Sequence, residues 1–255
     1  MKIFATYNIK GGVGKTATAV NMGFLAARQG YRVLLWDLDP QGAASFLFRV
    51  KPRVKGGGKA LIQGRRPVDG AIKGTDFDNL DLLPADFTYR NLDLMLDAAK
   101  RPDRRLASLL APLKSDYDLV ILDCPPSISL LSESVLHAAD LLLVPLIPTT
   151  LSVRTLDQLT DFVAGFNGHR PEVLAFFSMI DRRKRLHTQI AQDLPTQRTD
   201  FAATAISALS VIEQMSVHRA PVTAFAPRSQ AARQYSDLWL EARERAGLTE
   251  PPAVA

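Results

Sequence analysis

Lys10-Gly11-Gly12-Val13-Gly14-Lys15-Thr16 constrains this chain more than any other segment. It follows an apolar run of strand length, 3–9, and leads into an alanine-rich stretch of helical spacing, 16–29, that stops at Gly30. Glycines here let the backbone curl so that several N–H groups point at one anion, and the helix that follows adds the positive end of its dipole. Lys15 is expected to neutralise β- and γ-phosphates, and Thr16 to offer a hydroxyl to Mg²⁺. Such a loop belongs to an open α/β sheet, whose ligands lie beyond the carboxyl ends of the strands.

The rest of the chain fits that frame. Further apolar runs lie at 32–37, 80–83, 118–122, 141–147 and 173–180, and most are continuous rather than alternating, as in strands covered on both faces. Between them, 130–139, 151–166 and 228–246 have helical spacing. The expected fold is α/β, a doubly wound, mostly parallel sheet with helices on both faces, as in P-loop NTPases. A single domain over 1–247 is expected, with a short flexible tail, LTEPPAVA, over 248–255. Gly56-Gly57-Gly58 reads as a flexible surface loop.

Two groups of carboxylates stand at strand ends. Asp123 closes the run YDLVILD in the manner of a Walker B acid, which holds Mg²⁺ directly or through water. Asp37 and Asp39 close the second run in DLDPQG, where period-two alternation would put both carboxylates on one side and leave one to orient an attacking water. Asp37 joins Thr16 and Asp123 as a candidate metal ligand.

Composition removes several classes. With 47% apolar and 22% charged residues the chain is globular rather than disordered. Its one cysteine, Cys124, excludes an intrachain disulfide and a thiolate metal cluster. It has no apolar run of membrane-spanning length and no secretory pattern near Met1, so a cytoplasmic protein is expected. The net charge of +5 is uneven: residues 49–73 hold Arg49, Lys51, Arg53, Lys55, Lys59, Arg65, Arg66 and Lys73 against Asp69 alone, +7, so the remainder sums to −2. An anionic partner would suit that stretch.

At KGGVGKT, at DLDPQG (37–42), at LDCPPS (122–127) and at FAPRSQAARQY (225–235) the sequence resembles the ParA/MinD family of deviant Walker ATPases, most of all the short ParA type, over nearly its whole length. The resemblance implies that Gly11, Gly12, Val13, Gly14, Lys15, Thr16 and Ala17 line the phosphates. Ala17 replaces a usual second threonine. It implies that Lys10 reaches the partner's ATP in a nucleotide-sandwich homodimer, that Asp39 supports hydrolysis, and that Met179 and Asp181 contact adenine. Ser207 stands where the family often has proline, after a strand that would end near Ile206. Iron–sulfur relatives need cysteines that this chain lacks.

ParA-like proteins bind nonspecific DNA as ATP dimers and are stimulated by an adaptor of ParB type or a cargo-specific equivalent. The resemblance therefore implies a weak ATPase, nucleoid-associated in the cytoplasm, that positions a plasmid, chromosome origin or protein assembly. Arg182, Arg183, Lys184, Arg185, Arg219 and Arg228 are the candidate DNA contacts, although 151–255 as a whole is only +1 and a run of cations also suits a solvated face. No operator-reading helix-turn-helix is expected ahead of Lys10. Two rival readings stand beside this one. A MinD-like membrane switch needs a C-terminal amphipathic helix, which Gly247, Pro251 and Pro252 break. A metabolic kinase or amide-forming synthetase needs an acceptor pocket.

Overall fold

The computed structural model describes residues 1–166 and 168–249. Its strands are β1 (Lys2–Thr6), β2 (Val33–Asp37), β3 (Lys73–Gly74), β4 (Leu80–Leu83), β5 (Leu119–Asp123), β6 (Leu141–Leu146) and β7 (Glu172–Phe177). Its helices are α1 (Lys15–Arg28), α2 (Ala43–Leu47), α3 (Gly58–Ile62), α4 (Leu92–Asp97), α5 (Arg105–Leu110), α6 (Leu130–Ala138), α7 (Thr150–Ala164), α8 (Arg185–Gln197), α9 (Ser210–Glu213), α10 (Met215–His218), α11 (Val222–Phe225) and α12 (Gln230–Arg245).

The sheet order is β3-β4-β2-β5-β1-β6-β7, and every strand pair but β3–β4 is parallel. This is the mostly parallel, helix-covered sheet expected. Alternation along each strand divides the core: Ile3, Ala5, Leu34, Trp36, Val120, Leu122, Leu142 and Val144 face one apolar layer, and Phe4, Val33, Leu35, Leu119, Ile121, Leu141 and Leu143 face the other. All of these are at most 8% exposed, and each large apolar side chain so buried contributes roughly 1.5–3 kcal/mol. The second layer is closed by α1 and α12, where Trp239 Nε1 donates to Gln29 Oε1 at 2.8 Å. Strands buried on both faces need no polar alternation, which is why they read as continuous apolar runs.

Four expectations change. The glycine triplet is not a loose loop, because Gly58 opens α3 against the ring of Tyr89, where an added Cβ would sit 2.7 Å from Cδ1. The strand expected near Ile206 is reduced to single bridges, Ala175 to Phe201 and Ile180 to Ser207, and Ser207 trades hydrogen bonds with the Gln234 side chain. Helix α12 ends at Arg245, ahead of Gly247 as expected, but the first residues of the expected flexible tail are packed: Leu248 lies on the second core layer and the Tyr31 hydroxyl donates to the Thr249 carbonyl at 2.8 Å. The remainder of the expected tail, 250–255, lies outside the described residues. Finally, β2 stops at Asp37, so Asp39 sits in a turn rather than on the strand.

Candidate functional site

The carboxyl ends of β1, β5, β2, β6 and β7 converge on the loop from Asn8 to Thr16. The strand order reverses around β1, the place where open α/β sheets form a crevice. Asn8 is buried and anchors the start of the loop: its side-chain amide donates to the Pro145 carbonyl at 2.8 Å and its Oδ1 accepts from Lys10 N at 2.9 Å. Gly14 caps α1 in the left-handed region at φ 96°, and a Cβ there would meet Ser178 Oγ at 2.9 Å. Only glycine fits this position.

Lys15, 7% exposed, turns back so that its ammonium donates to the Lys10 carbonyl at 2.9 Å. Burial lowers its pKa from the ordinary lysine value, against the attraction of Asp123 and Asp39. A cation desolvated in this way gains most from an arriving phosphate. Lys10 Nζ lies over its own chain and donates to Ser152 Oγ at 3.3 Å, where Thr149 and Ser152 form the first turn of α7.

Asp37 and Asp123 occupy paired register positions on β2 and β5. Both are fully buried, and each leaves one oxygen, Asp37 Oδ1 and Asp123 Oδ2, without a hydrogen-bond partner. The other Asp37 oxygen accepts from Ser45 N at 2.8 Å and Ser45 Oγ at 2.7 Å. Asp123 Oδ1 accepts from Thr6 Oγ1 at 3.3 Å, and the nearby Thr16 hydroxyl works to lower the pKa of this carboxyl. Burial, opposed by the Ser45 bonds and reinforced by Asp39, raises Asp37 to about 6. Burial and the facing Asp37 charge push Asp123 well above the usual carboxylate range.

Orphaned buried carboxylate oxygens beside a phosphate loop are what a hydrated Mg²⁺ between acid and phosphate requires, so Thr16, Asp37 and Asp123 fit that ion. Among the described residues no three His, Cys, Asp or Glu side chains are grouped to hold a metal ion by themselves. Cys124, buried beside Asp123, has its thiol pushed up by burial and stays a packing residue. Asp39 takes its place through a turn, accepting from Gln41 N at 2.9 Å while its carbonyl accepts from Gly42 N at 2.9 Å.

Beyond β7, Met179 is 42% exposed with φ 57°, next to Ser178 and the Gly14 contact. The Asp181 carboxylate is held by Arg183 through bonds of 2.9 Å to each oxygen, and that side chain draws its pKa down to about 2. Arg183 is therefore a paired cation, whereas Arg182, Lys184 and Arg185 are exposed without ion pairs among the described residues. The other DNA candidates lie elsewhere. Arg219 stacks over Phe46 at 4.6 Å and donates to the Phe46 carbonyl at 3.0 Å, beside α2, and Arg228 is exposed ahead of α12. Sequence reading missed Asn8, Ser45, Ser152 and Ser178. Only Asn8, adjoining the loop, carried a usable signal.

A phosphate loop on β1, with acids at the ends of β2 and β5 of a doubly wound sheet, defines a P-loop ATPase. A family model described as an AAA domain matches residues 1–175. The sporulation initiation inhibitor protein Soj of Bacillus subtilis is 33% identical over 93% of this chain and 96% of its own. The chromosome partitioning protein ParA of Caulobacter vibrioides is 35% identical over 76% of this chain and 75% of its own. A solved structure of cobyrinic acid a,c-diamide synthase from Mycobacterium smegmatis, with bound ATP analogue and magnesium, superposes with a TM-score of 0.78 at 27% identity over 100% of both chains. The chain belongs to the ParA/Soj partitioning family of ATPases.

Proposed function

We propose that the protein is an ATP-dependent dimeric switch, which binds nonspecific DNA while ATP is intact and positions a cargo as an adaptor of ParB type, or an equivalent, stimulates hydrolysis. The observation that carries the nucleotide part is the facing pair Asp37 and Asp123, each with an unpartnered buried oxygen, next to Lys15. In this reading the loop from Gly11 to Ala17 wraps the triphosphate. Lys15 leaves the Lys10 carbonyl for the phosphates. Bound Mg²⁺, held by Thr16, Asp37 and Asp123, supplies positive charge to the phosphate oxygens.

Asp39 holds the attacking water, and Met179 and Asp181 border the base. Asp181 meets the base through its backbone, since its carboxylate is taken by Arg183. Lys10 has a flexible side chain with one weak anchor, Ser152, and releases it to reach the partner's nucleotide. Dimerisation then doubles the cations presented to DNA, and loss of the γ-phosphate removes the charge that both subunits grip. Basal turnover is weak because hydrolysis waits for the adaptor, and the protein resides on the nucleoid.

The membrane alternative finds little support. Helix α12 already spends its apolar stripe, Ala231, Tyr235, Leu238, Trp239 and Ala242, on the core rather than on a lipid surface. A second reading, ATP-dependent amide formation, is favoured by the likeness to the 27% identical diamide synthase. Phosphate release that needs no carboxylate acceptor separates it from the switch. The direct test is mass by light scattering: a dimer in Mg·ATP but not in ADP, lost in Lys10→Ala with the fold kept, supports the switch. Normal ATP-driven dimerisation of Lys10→Ala refutes the role given to Lys10.

A further inference from the structure

The basic stretch 49–73 is not used by the nucleotide site, and its placement gives it a use. All eight of its cations are exposed, while Val54, Leu61, Ile62, Val68 and Ala71 between them are buried at 6% exposure or less. These apolar anchors pin the segment at short intervals along its length. Asp86 adds a polar clamp, accepting from Val54 N at 2.9 Å and from the Thr88 hydroxyl at 2.6 Å, and Gly58 sits against Tyr89. The cations are therefore held out on a folded support rather than on a floppy loop, and ordering them costs little further entropy on binding.

Their charge is also largely uncompensated. Arg49 pairs with Asp76, but Lys51, Arg53, Lys55, Lys59, Arg65, Arg66 and Lys73 make no ion pair among the described residues. Lys55 and Arg66 flank an open cleft of about 330 Å³, and Arg66 and Arg105 flank the next, of about 340 Å³, which Asp69 and Asp116 also line. At the other end Arg49 donates to the His218 carbonyl at 3.1 Å, which places it beside Arg219. The stretch leads into β3 at one edge of the sheet, where Val54 to Ala71 pack on one core layer while Phe48 and Met215, near Arg49 and Arg219, pack on the other. Arg182 to Arg185 lie past β7 at the opposite edge.

We propose that the exposed cations from Lys51 to Arg66 form a separate nucleic-acid contact that grips the phosphate backbone of duplex DNA without reading its sequence. Rows of exposed Lys and Arg with few acids and no base-reading helix suit phosphates, whose contacts release counterions and carry no sequence information. The inference rests on the DNA-binding reading above and adds a surface to it.

The test is anisotropy of a labelled random-sequence duplex with Mg·ATP, between about 50 and about 200 mM salt. It compares the unmodified protein with Lys51→Gln/Arg53→Gln/Lys59→Gln and with Arg182→Gln/Arg185→Gln, and unfolding curves confirm that each variant folds. The triple variant should bind about tenfold or more weakly, and its slope of log affinity against log salt should shrink by roughly 0.9 per cation removed. Should the triple variant not fold, single Lys51→Gln and Lys59→Gln variants should each lower the slope by about one. Unchanged affinity and slope, with DNA bound normally by the unmodified protein, overturns this surface and spares the switch. Absence of DNA binding by the unmodified protein overturns both. Intact DNA binding with lost adaptor stimulation makes the stretch a protein interface and also overturns the proposal.

Discussion

Asp37 and Asp123 face each other across adjacent parallel strands, both fully buried and both with one oxygen unsatisfied. Two carboxylates so placed repel, and the protein tolerates them because the cost is recovered when cations and phosphates arrive.

Replacing one acid should therefore separate stability from function. Asp123→Asn removes the repulsion, so at a pH high enough to ionise both acids its ligand-free melting temperature should rise by a few degrees, at about 2–4 °C per kcal/mol. The same change should cut Mg²⁺-dependent ATP hydrolysis about 100-fold or more, as loss of a main electrostatic contributor does. A melting temperature that falls, with hydrolysis intact, contradicts this account of the pair.

Asp39 sits in a turn, its carboxylate bonded among the described residues only to Gln41 N. Asp39→Ala should leave the fold unchanged within about 0.5 kcal/mol, because the residue is only half-buried and makes one local bond. Its effect should appear after ATP is added, as a dimer that persists over time since ATP is not cleaved. Sizing at intervals, with phosphate release in parallel, checks this; undiminished release contradicts it.

At Gly58 the prediction is steric. Gly58→Ala drives a methyl group into the Tyr89 ring, which is 3% exposed and cannot swing out without opening the core. Overpacking of this sort costs about 1–3 kcal/mol, read as a lower midpoint of denaturant unfolding. A midpoint equal to that of the unmodified protein would mean that the segment is the loose loop the glycines suggest.

The Asp86 clamp supplies a pH signature. Burial works to raise this carboxyl, but the Thr88 hydroxyl and the backbone N–H groups of Val54, Thr88 and Gly58 outweigh it and hold its pKa below the ordinary value. A depressed folded-state pKa stabilises the fold in full above the unfolded value, about 3.9, and the contribution disappears as pH falls through the folded value. Asp86→Asn should thus be less stable than the unmodified protein at pH 5 to 7, with the gap closing below about pH 4. A gap independent of pH contradicts the role of the charge.

The sheet was legible in the sequence because β2 and β5 are buried along their whole length, so Val33 to Trp36 and Leu119 to Leu122 leave no polar face to confuse the pattern. The phosphate loop was legible because its chemistry is local, a matter of glycines, one lysine and one threonine in a row. What escaped depends on contacts between distant residues. Nothing near Asp37 in the sequence marks Ser45 as its hydrogen-bond donor, and nothing near Lys10 marks Ser152. Arg183 read as one of four free cations, yet two residues back Asp181 neutralises it. The glycine triplet read as slack because Tyr89, some thirty residues on, is invisible from Gly58. Likewise α8 carries Pro195 inside it, which hid a helix of 13 residues.

The most direct measurement is binding of the purified protein to nonspecific duplex DNA in ATP, in ADP and without nucleotide, at low and high salt, with the molecular mass determined on the same samples. The account predicts binding only with ATP, in proportion to the dimer, and weakened by salt. A dimer that forms with ATP and ignores DNA, or DNA binding that is equal in all three nucleotide states, would contradict it.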